Sequence, residues 1–482
     1  MSRAGRAGLM VAPVILGVVL LTEPPSGLSV DAWRTVGVVA VMALLWMTEA
    51  IPIPVTALLP LVLFPLLGVA PITETAAPYA NPVIYLFLGG FLLALGLQRW
   101  NLHKRVAFWI VGLTGSRASH VLAGFMVATA LVSMWINNSA TTVMMLPMAI
   151  SVAALFRDHL RADSRAQEEM GLALMLGVAY AASIGGVGTL VGTAPNAFMA
   201  GFLRENYGYQ IGFGQWMLMG VPLVVVGIFM THAVLSRLCL TDRRLEVPGL
   251  REEVRREAAK LGAWTRGEAV VATVFCLAAV LWVAQPWLKP WIPGLSDAAI
   301  AMAAGLVLFF IPADWRRGEF VLAGRDLRDL PYGVLILLGG GLSMAEMVDR
   351  TGLAAWLGTW TAAWQGWPIV VVVVLVTVAI LFLTELTSNT ATTATFLPVV
   401  ASVAVGMGQD PMLLVLPAVL AASCAFMLPV GTPPNAIVFA SGMVPLPRMA
   451  RVGFVINMIF AALIPLAVLT LGAKVFGIFA GR

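Results

Sequence analysis

Charge is scarce in this chain. Of 482 residues, 29 are Lys or Arg and 24 are Asp or Glu, 11% together; an ordinary soluble domain carries about 25%. Cysteine is nearly absent. Cys239, Cys276 and Cys424 are odd in number and scattered, so neither a disulfide framework nor a cysteine metal site is implied. The four histidines, His103, His120, His159 and His232, stand apart from one another, and no HExxH, GxSxG or Walker loop occurs. ATP-driven pumping and chemistry on a metal or nucleophile therefore find no support. An intramembrane enzyme would need a Ser–Lys, paired Asp or His-rich set within its apolar runs, and none is present. The net charge of +5 does not point to nucleic acid, because the basic residues cluster in short loops between apolar runs, where orientation signals lie.

What is present is apolar: 60% of residues, with a mean hydropathy of +0.93. A water-soluble fold has no place to bury so much apolar surface. The chain reads as an all-α polytopic membrane protein with ten to twelve embedded segments, at roughly 20 residues per span. A barrel is excluded because its alternating pattern would halve the apolar content. Arg3, Arg6 and the run Leu9–Leu21 resemble a signal peptide, but Thr22-Glu23-Pro24-Pro25 follows in place of a small-residue cleavage site. An uncleaved first helix is expected. Residues 237–268 hold 14 of the 53 charges, eight basic and six acidic. This linker (238–267) divides an N-terminal half, 1–237, from a C-terminal half, 268–482. Its basic excess puts it on the cytoplasmic side, and Leu250–Leu261 reads as an amphipathic surface helix.

Three pieces recur in order on either side of the linker. Leu88-Gly89-Gly90 is echoed by Leu338-Gly339-Gly340, offset by 250. Asn138-Ser139-Ala140-Thr141-Thr142 is echoed by Asn389-Thr390-Ala391-Thr392-Thr393, offset by 251. Gly192-Thr193-Ala194-Pro195-Asn196-Ala197 is echoed by Gly431-Thr432-Pro433-Pro434-Asn435-Ala436, offset by 239. One match is chance; three in order mean two copies of one unit. Such duplication is the build of secondary transporters, often with inverted topology. Inversion requires an odd number of spans between the copies, which the apolar runs do not determine.

Each copy sets polar residues inside an apolar run, at Ser133–Ser139 and at Thr384–Thr390. Exposed amides in hydrocarbon are expensive unless they line a cavity. Asn and Ser compete for backbone bonds and favour breaks, so each motif reads as the tip of a helix-break-helix hairpin. The helix that follows aims its N-terminal N–H groups at whatever binds, and that end attracts anions. The Gly-Thr-Ala-Pro-Asn and Gly-Thr-Pro-Pro-Asn pieces make second breaks, where freed carbonyls with Asn, Ser and Thr oxygens suit Na⁺ better than Ca²⁺ or Mg²⁺. A lone Ser or Thr in a membrane helix usually bonds its own backbone, and a lone GTPPN is usually a kink. Paired in both copies, they read instead as one binding centre. No Lys or Arg lies within about fifteen residues of either Asn motif. A multiply charged anion would then need bound cations for balance, which is a physical reason for cation coupling. Of the acids nearest the apolar runs, Glu49 and Glu385, the latter sits within the second motif. Its alternatives are a proton or cation-field role and a helix-end cap or structural hydrogen bond.

These motifs resemble the divalent anion/Na⁺ symporter family, the carriers of dicarboxylates, citrate and sulfate, marked by a Ser-Asn-Thr signature in each repeat. The likeness rests on Thr48–Pro60 (TEAIPIPVTALLP), Ser388-Asn389-Thr390 and the loop at 431–435. It implies a homodimer of about eleven transmembrane helices per protomer, two re-entrant hairpins, inverted repeats and an elevator mechanism in a cell inner membrane. By resemblance, Ser133, Asn137, Asn138 and the Gly192 carbonyl would form one Na⁺ site. Thr384, Thr387, Asn389 and the Gly431 carbonyl would form the other. The substrate carboxylates would meet Asn137, Asn138 and Ser139 on one side and Ser388, Asn389 and Thr390 on the other, bordered by Thr193, Thr432 and Pro433. The first signature departs from the pattern, reading Asn137-Asn138-Ser139. The implied function is Na⁺-coupled uptake of a C4 dicarboxylate such as succinate, malate or fumarate. The alternatives are a Na⁺-independent dicarboxylate exchanger or a carrier of sulfate or citrate. Some members exchange without Na⁺, and a basic side chain in the cation's place would mark that mode; none lies near the motifs.

Overall fold

The computed structural model describes residues 3–159, 164–242, 250–359 and 366–478. The chain begins with α1 (Arg3–Leu21), α2 (Val30–Thr48), α3 (Ile53–Thr56), α4 (Pro60–Leu66), α5 (Ile72–Ala76), α6 (Pro82–Arg99) and α7 (Leu102–Leu113). The first copy of the repeated motifs follows on α8 (Ala118–Ser133), α9 (Asn138–His159), α10 (Ser164–Gly186) and α11 (Ala194–Tyr207). Next come α12 (Phe213–Leu238), α13 (Leu250–Ala259), α14 (Arg266–Leu288) and α15 (Asp297–Phe310). A short antiparallel pair, β1 (Pro312–Asp314) and β2 (Glu319–Phe320), is a small departure from an all-helical chain. Then come α16 (Tyr332–Arg350) and α17 (Leu353–Thr359), followed by the second copy on α18 (Ile369–Leu383), α19 (Asn389–Gly406), α20 (Met412–Ala422) and α21 (Pro433–Ala440). α22 (Leu446–Ala467) and α23 (Ala473–Phe476) close the described chain, joined by a π-helical turn.

Among the described residues, nine helical stretches are long and apolar enough to cross a membrane, and five shorter apolar helices accompany them. α8 and α18 belong to the shorter group, with 16 and 15 residues. At 1.5 Å per residue they reach about 24 and 22 Å, less than the ~30 Å hydrocarbon core. Each is followed by a break and a second helix. α10 packs on both α8 and α9, and α20 on both α18 and α19. These two helices are the centre of the molecule: the membrane-length stretch of α10 and the whole of α20 are buried. Tyr180 of α10 donates to the Phe426 carbonyl (2.7 Å), tying the first copy to the unwound segment of the second. On the outer helices α1, α12 and α14, Leu21, Phe229 and Val280 are exposed, the pattern of surfaces that meet lipid.

The repeated Leu-Gly-Gly pieces are close-packing positions. A Cβ on Gly89 of α6 would stand 2.3 Å from the Ala301 carbonyl carbon of α15, and one on Gly340 of α16 would stand 2.0 Å from the Ala57 carbonyl oxygen. Glycine lets these backbones touch. Of the charged linker, residues 243–249 lie outside the described residues. The amphipathic stretch forms α13, which packs on α7 and α9 with Val254 buried.

Candidate substrate and cation site

Two kinds of helix break build the site. α8 ends at Ser133, and α9 starts at Asn138 after four unwound residues, with Asn137 Oδ1 accepting from Ala140 N–H (3.0 Å). α18 ends at Leu383, and α19 starts at Asn389 with Ser388 as its N-cap. Between α10 and α11 the chain unwinds over 187–193, and between α20 and α21 over 423–432. α11 and α21 both start on an extended Thr N-cap, Thr193 or Thr432, followed by proline within the first turn. Proline has no N–H to waste there, so the break and the restart come from one short motif.

All four restarts border one cavity of about 1020 Å³. Asn137, Asn138, Ser139, Gly192, Thr193, Thr387, Ser388, Asn389, Thr390, Gly431, Thr432 and Pro433 line it together, although the two sets lie some 240–250 positions apart. Ser133 and Thr384 are fully buried and outside the lining. Phe87, Phe91 and Val334 supply apolar wall. Among the described residues no Lys, Arg or His lines the cavity, and Glu49 is its one ionisable side chain. Four converging helix N-termini without a basic residue make an anion receptor of modest strength. Ser139, Thr193, Ser388 and Thr390 make no side-chain hydrogen bond among the described residues, so their hydroxyls are free to meet a ligand.

Beneath each hairpin tip the same cluster of oxygens recurs. Ser133 Oγ lies 2.7 Å from the Ala182 carbonyl and 2.8 Å from Asn138 Oδ1. Thr384 Oγ1 lies 2.9 Å from the Ala422 carbonyl and 2.9 Å from the Asn389 amide. The same Asn389 amide atom is 3.0 Å from the Ala422 carbonyl and 3.2 Å from the Gly431 carbonyl. With its nitrogen turned inward, Asn389 donates to all three oxygens. With its oxygen turned inward, four oxygens converge there, those of Asn389, Thr384, Ala422 and Gly431. Thr387 is engaged differently: its hydroxyl meets the Leu383 carbonyl (3.0 Å) and the Thr392 hydroxyl, while the residue lines the cavity.

Glu385 is buried and spent on structure. Its carboxylate accepts from the N–H groups of Phe426 (2.7 Å), Met427 (2.9 Å) and Leu428 (3.0 Å) and from Asn457 Nδ2 (2.7 Å). It thereby satisfies the amides that the break after α20 leaves unpaired. Asn196 and Asn435 hold the two unwound segments. Asn196 Nδ2 donates to the Thr189 carbonyl (2.8 Å), and Asn435 Nδ2 donates to the Ala425 and Leu428 carbonyls (both 3.0 Å). These asparagines sit at the same place in the two repeated loops, and that recurrence was the signal for a shared role. The Ala182 and Ala422 carbonyls carry no such signal in the sequence.

The model of the sodium:sulfate symporter transmembrane region matches residues 4–478. The chain is 39% identical over 480 residues to the sodium-dependent dicarboxylate transporter SdcS of Staphylococcus aureus (strain USA300), covering 98% of this chain and 92% of that protein. The transporter of the same name from Staphylococcus saprophyticus is 39% identical over 477 residues, with the same coverage. Among solved structures, MtrF of Neisseria gonorrhoeae aligns with a TM-score of 0.60 at 12% identity, over 98% of this chain and 96% of that one. The YdaH transporter of Alcanivorax borkumensis aligns at 0.56 and 13%, over 98% and 100%. Those two bear on the fold alone. The family match and the identity to the staphylococcal proteins, both running nearly end to end, bear on descent: the chain belongs to the sodium:sulfate symporter family, the divalent anion/Na⁺ symporters, and is a membrane transporter rather than an enzyme.

Proposed function

We propose that this protein couples Na⁺ entry to the uptake of a C4 dicarboxylate, such as succinate, malate or fumarate, across a cell inner membrane. The observation that carries the reading is a cavity where four helix N-termini meet and, among the described residues, no basic side chain stands. Each terminus contributes about 0.3–1 kcal/mol at an exposed site, too little to hold a dianion. Bound Na⁺ supplies the missing positive charge. The sodium-dependent dicarboxylate transporters among the relatives point to the same pair of solutes.

One Na⁺ takes Ser133, Asn137, Asn138 and the Gly192 carbonyl; the other takes Thr384, Thr387, Asn389 and the Gly431 carbonyl. The oxygen cluster at Asn389 supports the second set and adds the Ala422 carbonyl to it. Turning the Asn389 amide from nitrogen-in to oxygen-in exchanges internal hydrogen bonds for a cation. The substrate carboxylates then meet Asn137, Asn138 and Ser139 from one tip and Ser388, Asn389 and Thr390 from the other, with Thr193, Thr432 and Pro433 at the border. Cations order the tips, and the ordered tips complete the anion site. In this reading the repeats are inverted, about eleven helices cross the bilayer, and the linker 238–267 faces the cytoplasm. The protein works as a homodimer whose hairpins and broken helices move as an elevator against a fixed scaffold.

The test is labelled succinate uptake into proteoliposomes, with an inward Na⁺ gradient against an equal choline gradient. Uptake with Na⁺ alone is expected. Equal uptake under both gradients would replace symport with exchange. No uptake of succinate under either, with sulfate or citrate accumulating instead, would remove the dicarboxylate assignment.

A further inference from the structure

We propose that Glu49 sets the charge selectivity of the cavity, favouring Na⁺ and disfavouring an anion that arrives without it. The proposal rests on the Na⁺–dicarboxylate reading above. α2 ends in a left-handed turn: Glu49 has φ 46° and ψ 40°, and the Ala50 N–H reaches back to the Leu45 carbonyl (3.3 Å). Glycine is the usual occupant of that position. Among the described residues only Glu49 and Asn101 are non-glycine with positive φ. The turn is pinned on both sides. Thr48 Oγ1 donates to the Leu44 carbonyl (2.6 Å), and a Cβ on Gly8 of α1 would stand 2.4 Å from that hydroxyl. Ala50 is thereby held inside and Glu49 outside, as part of the cavity wall. Its carboxylate has no hydrogen bond or ion pair among the described residues. A strained backbone that presents an unpaired charge to a ligand cavity is an outlier with a function to explain.

An anion receptor with a carboxylate in its wall is poor at binding anions by themselves. The same charge concentrates cations in the cavity. Coulomb energy scales with the charge of the incoming ion, so the penalty on a trianion is about 1.5 times that on a dianion. Glu49 thus enforces cations first and ranks anions by valence, a property that the oxygen ligands at the hairpin tips lack.

Equilibrium exchange in proteoliposomes, with Na⁺ and succinate equal on both faces, reads this whichever way the cavity opens. Glu49→Gln removes the charge; Glu49→Gly removes it and relieves the turn, so the pair separates charge from folding. In both variants the Na⁺ half-saturation should rise about 1.7-fold and the succinate KM fall about threefold, while the inhibition constant of fully ionised citrate falls about fivefold, the 1:2:3 ratio in logarithm that charge dictates. Added choline chloride should shrink all three differences. Wild-type constants in both variants would overturn the proposal. An equal factor for succinate and citrate would also overturn it, because contact rather than charge would then be the cause. Wild-type exchange that ignores Na⁺ would overturn the underlying reading and the proposal together.

Discussion

The two halves of the site reach one geometry by different chemistry. Ser133 and Thr384 hold equivalent places under their hairpin tips, each against an alanine carbonyl and a tip asparagine. One residue later the halves diverge, to Met134 and Glu385. In the second half the Glu385 carboxylate gathers the amides of 426–428. In the first half Thr189 does a smaller version of the same work, accepting from Gly192 N–H (3.0 Å) and donating to the Met134 carbonyl. The halves also differ where loop meets tip. Gly186 touches the Asn138 amide so closely that a Cβ would stand 2.5 Å from Oδ1, whereas the corresponding position of the second loop is already Ala425. A duplicated unit therefore keeps its backbone path while the groups that satisfy the breaks drift apart. The break demands partners for its orphaned amides, and any acceptor of the right reach serves.

The largest effect is expected where the halves agree. Asn138→Ala and Asn389→Ala should each reduce Na⁺-driven uptake by about 100-fold or more, since loss even of an outer-shell partner at a metal site costs 10–100-fold. Radiolabel uptake normalised to inserted protein checks this, and near-wild-type rates in either would break the symmetry of the site. Glu385→Gln comes next. The amide nitrogen, placed where Oε2 stands, would face the N–H groups of Met427 and Leu428, costing about 3 kcal/mol in stability. A thermal melt in detergent should show a clear fall in Tm, while the pH dependence of the remaining transport stays as in wild type; a changed pH profile would restore a proton role for this residue. Thr189→Val removes a neutral hydroxyl and should cost about 1–2 kcal/mol by the same melt. A loss equal to that of Glu385→Gln would mean that the charge adds nothing.

Gly186→Ala tests the contact that only the first half makes. The Asn138 amide must shift, so the Na⁺ half-saturation should rise severalfold, while Ala425→Gly should change it little; equal responses would show that the two tips sit alike on their loops. The smallest effect belongs to Asn137→Ser, which gives the first signature the Ser-Asn start of the second. Serine and asparagine cap a helix about equally well, so stability should hold and the succinate KM move by less than about threefold.

Composition and local pattern alone determined that this chain lives in a membrane as helices, because so few charges among so much apolar surface leave no other fold. The three echoed motifs determined the duplication, since Gly, Pro and Asn inside apolar runs have few other reasons to recur in order. They also pointed to the residues of the cavity. Each of these conclusions rests on chemistry confined to a few neighbouring residues. Tertiary structure alone decided the rest. A main-chain carbonyl has no residue identity, so nothing in the sequence marked Ala182 and Ala422 as part of the oxygen clusters. The role of Glu385 depended on amides more than forty positions away and on Asn457 of α22. In the sequence Glu49 is only an acid near an apolar run; the left-handed turn sets it in the cavity wall. These features depend on closing the chain over long separations, where the partner is chosen by packing of the whole.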